Sequence, residues 1–322
     1  MAQLRVAVIG AGSIARRYHL PALKRLATEI PDISLAAVCD IDIDLAQQAR
    51  EGFGFQSTYG DYRKMLDAVT PDAVWVLVPY PRIRDVAGFT LGLGYPTLME
   101  KPPGDSAREA AELADIAARH NTPNQVALNR RYAPLINRMK ALLSEAGPVD
   151  GLSCQFYRHN RRESRFAYGT GLHGIDALRF LGPGEIIELE TRRTGPGAAT
   201  ITLVYENGSV ATMDMRPCVG ARTERYTAHA GDRTVIADGL VDWLTHYPGF
   251  LHCYDAGALA LTIENDEESQ TPGEIAGFYG EDQAFLENLL KGTVPKPSLQ
   301  EALRSVELAE SVDLGISRGF PA

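Results

Sequence analysis

A strand-like run from Arg5 to Ile9 opens directly into Gly10-Ala11-Gly12-Ser13-Ile14-Ala15, a glycine turn of the G-x-G-x-x-A form. In such a turn the first glycine admits a tight bend and the second lets backbone approach a pyrophosphate. A small third residue, here Ala15, lets the following helix pack on the strand. That helix offers free N–H groups and the positive end of its dipole to the phosphates. Asp40 closes the next apolar run, where a carboxylate accepts hydrogen bonds from ribose hydroxyls and repels a 2′-phosphate. The chemistry these residues suit is dinucleotide binding, with NAD favoured over NADP. Methyltransferases use a similar turn and acidic strand end, so these residues alone leave S-adenosylmethionine open as the nucleotide.

The elements that must carry this cradle follow from hydrophobic patterning. Up to about Gln125, the apolar runs Arg5–Ile9, Leu35–Cys39, Ala73–Val78 and Pro96–Met99 alternate with amphipathic helical stretches. Alternation of this kind predicts a parallel sheet covered on both faces, and the unbroken apolar character of Val74-Trp75-Val76-Leu77-Val78 predicts central burial. Ala107–Arg119 reads as a helix with Ala110, Leu113, Ala114 and Ala117 on one face and Asp105 or Ser106 as its N-cap. After Val126 the pattern changes: a helix over 134–144 is followed by longer alternating segments such as Leu152–Tyr157 and Ala199–Tyr205. Asn207-Gly208 marks a hairpin, and a second pairing sets Glu224–Ala230 against Thr234–Ala237. The tail returns to helix over 281–290 and 299–316. The expected fold is therefore an α/β Rossmann domain with a doubly wound parallel sheet over residues 1–124. An α+β domain over 125–322 follows it, with an open, mainly antiparallel or mixed sheet.

With 322 residues, two cores are expected. A formal charge of -9 opposes nucleic acid and anionic membrane surfaces as partners. Cys39, Cys154, Cys218 and Cys253 form no Cys-x-x-Cys pair, so neither a zinc site nor a redox dithiol is indicated and no metal is expected. No leader pattern precedes Leu4 and no apolar stretch would span a bilayer, which makes a cytoplasmic location the expectation.

Four further segments follow the glycine turn in order: Met99-Glu100-Lys101-Pro102-Pro103, Asn129-Arg130-Arg131-Tyr132-Ala133-Pro134, Leu172-His173-Gly174-Ile175-Asp176-Ala177-Leu178-Arg179-Phe180-Leu181-Gly182 and Pro297-Ser298-Leu299-Gln300-Glu301-Ala302. On these the chain resembles the Gfo/Idh/MocA oxidoreductase family along nearly its whole length. The resemblance implies an enzyme that uses NAD(P) to oxidise or reduce a hydroxyl or keto carbon of a sugar, cyclitol or related glycoside, and an assembly as homodimer or homotetramer. It implies a cofactor set of Gly10, Gly12, Ser13, Ile14, Asp40, Val78, Pro79, Glu100 and Lys101. Lys101 would lie beside the nicotinamide and the reacting oxygen, where an ammonium stabilises developing alkoxide charge. His173 would act as general acid or base, work that its intrinsic pKa suits. Arg131 joins the substrate candidates.

Two departures and one oddity stand out, the first being the loop Val78-Pro79-Tyr80-Pro81-Arg82-Ile83, which keeps the family's proline but lacks its usual Thr-Pro start and following histidines, so that cofactor contacts there are altered. The family's dehydrogenases commonly carry an aspartate four residues before the histidine, and that place here is Gly169, which leaves Tyr168 or Asp176 as stand-ins. The stretch Arg158-His159-Asn160-Arg161-Arg162-Glu163-Ser164-Arg165 is basic, and Arg161 and Arg162 are candidates to receive an acidic substrate, with a solvated loop or subunit contact as the equal alternative. Two rival activities stay open at this level: NAD-dependent glycoside lysis or hydrolysis without net redox change, and a non-catalytic NAD-binding sensor or scaffold.

Overall fold

The computed structural model describes residues 3–240, 249–266 and 270–320. The chain divides into two compact units, the first made of Met1–Leu128 with Phe278–Arg304 and the second of Asn129–Gly277 with Ser305–Ala322. The break thus falls after Leu128, not after residue 124, and a late segment returns to the first unit. The reason is a short strand, Asn124–Val126, that completes the first sheet.

The first unit holds β1 (Leu4–Ile9), β2 (Ile33–Cys39), β3 (Ser57–Tyr59), β4 (Ala73–Val76), β5 (Thr97–Met99) and β6 (Asn124–Val126) in the order β3-β2-β1-β4-β5-β6. All neighbouring pairs are parallel. Val6, Ala7 and Val8 in β1 and all of β4 are buried on both faces, as a sheet sandwiched between helices requires. Intervening helices are α1 (Leu20–Glu29), α2 (Ile43–Phe53), α3 (Tyr62–Val69), α4 (Tyr80–Gly92) and α5 (Ala107–Arg119). Their starts are set by side chains that satisfy otherwise orphaned N–H groups: Asp42 for α2, Asp61 for α3 and Ser106 for α5. Strand order reverses at β1 and β4, and a sheet of this topology offers its ligand crevice at the carboxyl ends of the strands on either side of that point.

The late helix Phe278–Lys291 packs into this unit. Phe278, Asp282, Phe285 and Leu286 share its inward face, a spacing of one helical stripe. Phe285 meets Trp75 edge-on at 5.1 Å, and the Trp75 indole N–H donates to Asp282 Oδ1 at 2.8 Å.

The second unit carries α6 (Pro134–Ala146), α7 (Leu172–Leu181) and a nine-stranded sheet of β7 (Gly151–Tyr157), β8 (Ile186–Gly195), β9 (Ala198–Tyr205), β10 (Val210–Arg216), β11 (Thr223–Ala230), β12 (Arg233–Asp238), β13 (Phe250–Asp255), β14 (Ala258–Glu264) and β15 (Arg318–Gly319). Among the described residues, only β7 and β10 of this sheet pair in parallel. Strict alternation along β7, β9 and β10 buries one face, including Phe156, Ile201, Leu203 and Met213. At the β9–β10 turn only Gly208 takes a positive φ, of 85°, so the Asn207-Gly208 pair does not place both residues in that region. Asn207 instead accepts the Ser209 N–H through its side chain, at 3.0 Å.

Two glycines let α7 lie close on that face. A Cβ on Gly174 would stand 2.4 Å from Met213 Cε, and one on Gly171 would stand 2.7 Å from Met215 Sδ. Their absence of side chains fixes the height of the helix that carries His173.

Candidate active site

In the first unit, the sequence candidates gather at the carboxyl ends of the parallel strands. Gly10 follows β1, Asp40 follows β2, Leu77-Val78-Pro79 follow β4 and Glu100-Lys101 follow β5. Gly10 has φ 105°, and a Cβ there would strike the Leu77 carbonyl oxygen at 2.3 Å. Gly12 is different, since a Cβ built on it meets nothing within 4 Å. Gly10 therefore serves the turn and Gly12 leaves open space above the backbone, which a side chain would take from a phosphate. Ser13 and Ile14 begin the helix and are exposed, whereas Ala15 is buried against the unit's core. This fits a dinucleotide's phosphates: open space over a glycine, helical N–H groups at its edge and a buried third small residue.

Asp40 is engaged as well as acidic. One carboxylate oxygen accepts the Ala11 N–H at 2.7 Å and the other accepts the Asp42 N–H at 2.9 Å. It therefore braces the glycine turn from the neighbouring strand, and its remaining lone pairs can receive ribose hydroxyls. The adjacent Cys39 thiol is pushed up to about 12, first by burial and then by the charges of Asp40 and Asp61, which makes it inert. All four cysteines are free thiols. Among the described residues no group of His, Cys, Asp and Glu is placed to hold a metal ion.

Val78 is half-buried and Pro79 precedes α4 as its N-cap residue. Glu100 is tied to the sheet by its own N–H, which donates to the Val76 carbonyl at 3.0 Å. Its Oε2 accepts the N–H of Lys101 at 3.1 Å, and the Lys101–Pro102 peptide is cis. Behind Glu100 lies a charged cluster not anticipated from sequence: His19, Glu281 and Asp282, each with a fully buried side chain. Burial works to lower the His19 pKa, but the charge and hydrogen bonding of Asp282, then of Glu100, outweigh it and raise it well above the usual value. The same pairing holds the Glu100 carboxyl low against its own burial. The available signal was the stripe Phe278, Asp282, Phe285, Leu286, which seats a carboxylate on an apolar helix face.

In the second unit, His173 is half-buried near the start of α7. A π-helical turn, Ala167–Gly171, leads into that helix, and the Asp313 carboxylate accepts the N–H groups of Ala167 and Tyr168 at 3.0 and 2.8 Å. Single π turns inside helices recur at functional positions.

Three sequence candidates take other work. Asp176 is 0% exposed, and it receives Arg131 through both oxygens at 2.8 Å and the Ser305 hydroxyl at 2.7 Å. Asp176 and Arg131 neutralise each other inside the protein, so neither stands as an acid–base or substrate group. Tyr168 is also fully buried, with the Arg165 guanidinium 4.0 Å over its ring.

The basic stretch disperses in the same way. Arg158 is a core residue that, with Arg130, pairs to Glu224, a carboxyl held down to about 2 because the two guanidinium groups outweigh its burial. Arg161 is held by Glu163 at 2.8 Å and by the Thr170 hydroxyl, so its charge is already met. Arg162 is exposed and donates to Asn160 at 3.2 Å. The position of the family's aspartate is open, since a Cβ on Gly169 meets nothing within 4 Å.

Residues 4–128 match the family described as "Oxidoreductase family, NAD-binding Rossmann fold". The chain is 37% identical over 114 residues to the D-glucoside 3-dehydrogenase of Escherichia coli, a match covering 35% of this chain and 31% of that protein. It is 26% identical over 228 residues to the D-apiose dehydrogenase of Paraburkholderia graminis, covering 65% of this chain and 59% of the relative. The matched regions thus span about a third to three-fifths of these relatives' length. Among solved structures, a levoglucosan dehydrogenase in complex with NADH and levoglucosan superposes with a TM-score of 0.85 at 16% identity, covering 99% of this chain and 100% of that one. At that identity the likeness speaks to the fold.

Proposed function

We propose, for a chain that belongs to the Gfo/Idh/MocA oxidoreductase family, reversible hydride transfer between NAD and a hydroxyl or keto carbon of a sugar, cyclitol or related glycoside. The observation that carries this reading is the assembly of the open Gly12 backbone, Asp40 and the Glu100-Lys101 pair on one edge of one parallel sheet. The names of the relatives, D-glucoside 3-dehydrogenase and D-apiose dehydrogenase, support the substrate class.

In this reading Gly10, Gly12, Ser13 and Ile14 hold the pyrophosphate, Asp40 the adenosine ribose, and Val78, Pro79 and Glu100 line the approach to the nicotinamide. The bound nicotinamide supplies the hydride acceptor. Lys101 donates a hydrogen bond to the substrate oxygen and stabilises its developing charge. His173 carries the hydroxyl proton, while Asp176 is committed to Arg131 and Ser305. Assembly as a homodimer or homotetramer in the cytoplasm belongs to the same reading, in keeping with the prevalence of symmetric homo-oligomers. Among the described residues no helix is long and apolar enough to cross a membrane.

The test is absorbance of reduced nicotinamide when the protein is given NAD and a panel of D-glucosides, pentoses, inositols and sugar acids. Growth of that band with at least one neutral polyol or glycoside is expected. Substrate consumed with no net reduction would favour the non-redox alternative, and no turnover at all would favour the sensor.

Asp40→Ser provides a second check, on cofactor choice. Loss of the carboxylate removes charge-assisted hydrogen bonds and its repulsion of a 2′-phosphate. NAD should bind roughly 10- to 100-fold more weakly and the preference over NADP should narrow. Fluorescence titrations with both nucleotides read this directly, and an unchanged NAD affinity would remove Asp40 from the site.

A further inference from the structure

The buried cluster behind Glu100 has no part in the roles above, yet it ends on the residue they depend on. His19 Nδ1 lies 2.9 and 3.1 Å from the two Asp282 oxygens, and its Nε2 lies 3.4 Å from Glu100 Oε1 and 4.0 Å from Glu281 Oε1. Every hydrogen-bonding atom of this ring thus faces a carboxylate. The Phe278 ring meets His19 edge-on at 5.2 Å, and the Trp75 indole holds Asp282 from β4. Glu100 uses its other oxygen on the Lys101 N–H.

We propose that Asp282 and His19 are positioning residues for Lys101: they hold the imidazole as a cation that clamps the Glu100 carboxylate, and Glu100 in turn fixes the backbone of the lysine. The inference rests on the reading of Lys101 as the group that polarises the substrate oxygen.

Three observations carry it. The cluster is costly, since His19, Glu281 and Asp282 are all 0% exposed, and buried ionic groups seldom stabilise more than an apolar filling would. A purely structural role would be met more simply by apolar residues, which already surround the cluster at Tyr18, Trp75, Phe278 and Phe285. The line also has direction: it starts on a late helix, crosses the π-helical turn Ala15–His19 that follows the phosphate-binding glycines, and stops at the strand end that carries Lys101. The charged groups facing the imidazole are Glu100, Glu281 and Asp282, and Lys101 faces Glu100 from beyond.

The test compares Asp282→Asn, His19→Gln and Glu100→Gln with Lys101→Met, using the best substrate of the sugar panel. Each of the first three should lower kcat by about 100-fold, the scale of a misplaced catalytic group, and Asp282→Asn and His19→Gln, which lie behind the cofactor residues, should leave KM and NAD affinity near wild type. A merely structural role would move KM and NAD affinity together with kcat, whereas a fall in melting temperature accompanies either role because each variant breaks a buried ionic contact. Independently of activity, nitrogen NMR of the intact protein should show His19 with both ring nitrogens protonated through neutral pH. It should show the neutral ring in Asp282→Asn. This reading holds even where a variant folds poorly, because it begins with the wild type. A neutral His19 in the wild type overturns the proposal, as does full kcat in Glu100→Gln when Lys101→Met is dead. An active Lys101→Met would instead overturn the assignment of the lysine, and the positioning role with it.

Discussion

Lys101→Met is expected to bind NAD as the wild type does and to lose roughly 100- to 1,000-fold in kcat, the range seen when one preorganised donor to a developing oxyanion is removed. The physical basis is that methionine keeps the length and volume of the side chain but offers no charge and no donor. Burial around Glu100 is undisturbed, and the Lys101 backbone N–H still donates to its carboxylate. Lys101→Arg separates charge from shape: a planar, forked guanidinium does not reproduce a point charge, so activity should recover only in part. Steady-state nicotinamide absorbance gives kcat, and fluorescence quenching gives the NAD affinity. Turnover in Lys101→Met comparable with the wild type would remove the lysine from the chemistry.

Asp176→Ala should act on stability before it acts on catalysis. Arg131 and the Ser305 hydroxyl both depend on Asp176, and the pair is nearly excluded from solvent. Removing the carboxylate leaves a guanidinium buried without its counter-charge, a change worth about 3–5 kcal/mol and a fall in Tm on the order of 10 °C. Asp176→Ala combined with Arg131→Met should regain much of that loss, because the stranded charge is gone as well. Thermal melts of the single and double variants decide the matter. A single variant with wild-type stability and a collapsed kcat would return Asp176 to the reacting atoms.

These two outcomes mark where sequence reasoning reached and where it stopped. β1, β2, β4 and β5 were legible because their residues are apolar on both faces, a pattern with few alternatives. β3 and β6 were not, being three residues each, with Ser57-Thr58-Tyr59 and Asn124-Gln125-Val126 offering no apolar run. The glycine turn and Asp40 could be read because local backbone geometry dictates those residue types. Asp176 could not be placed, since its partner lies 45 positions away and nothing local distinguishes a buried ion pair from an exposed acid. Arg158 misled for the same reason: its counter-ion, Glu224, sits on a strand 66 positions further on. The bracing of Asp40 on the Ala11 N–H was likewise invisible, because it is a contact across the turn and not a pattern along the chain.

The return of Phe278–Arg304 to the first unit has a consequence for biosynthesis. As the chain leaves the ribosome, the strands up to Val126 emerge with Trp75 and His19 still lacking Asp282, and with the site of Phe285 and Leu286 empty. At ordinary elongation rates the missing segment follows about 10 to 35 s later. The amino-terminal half therefore cannot mature as an autonomous cotranslational product. It waits, with apolar surface uncovered, until Phe278–Arg304 has emerged, which makes this interval the one in which a chaperone has most to protect.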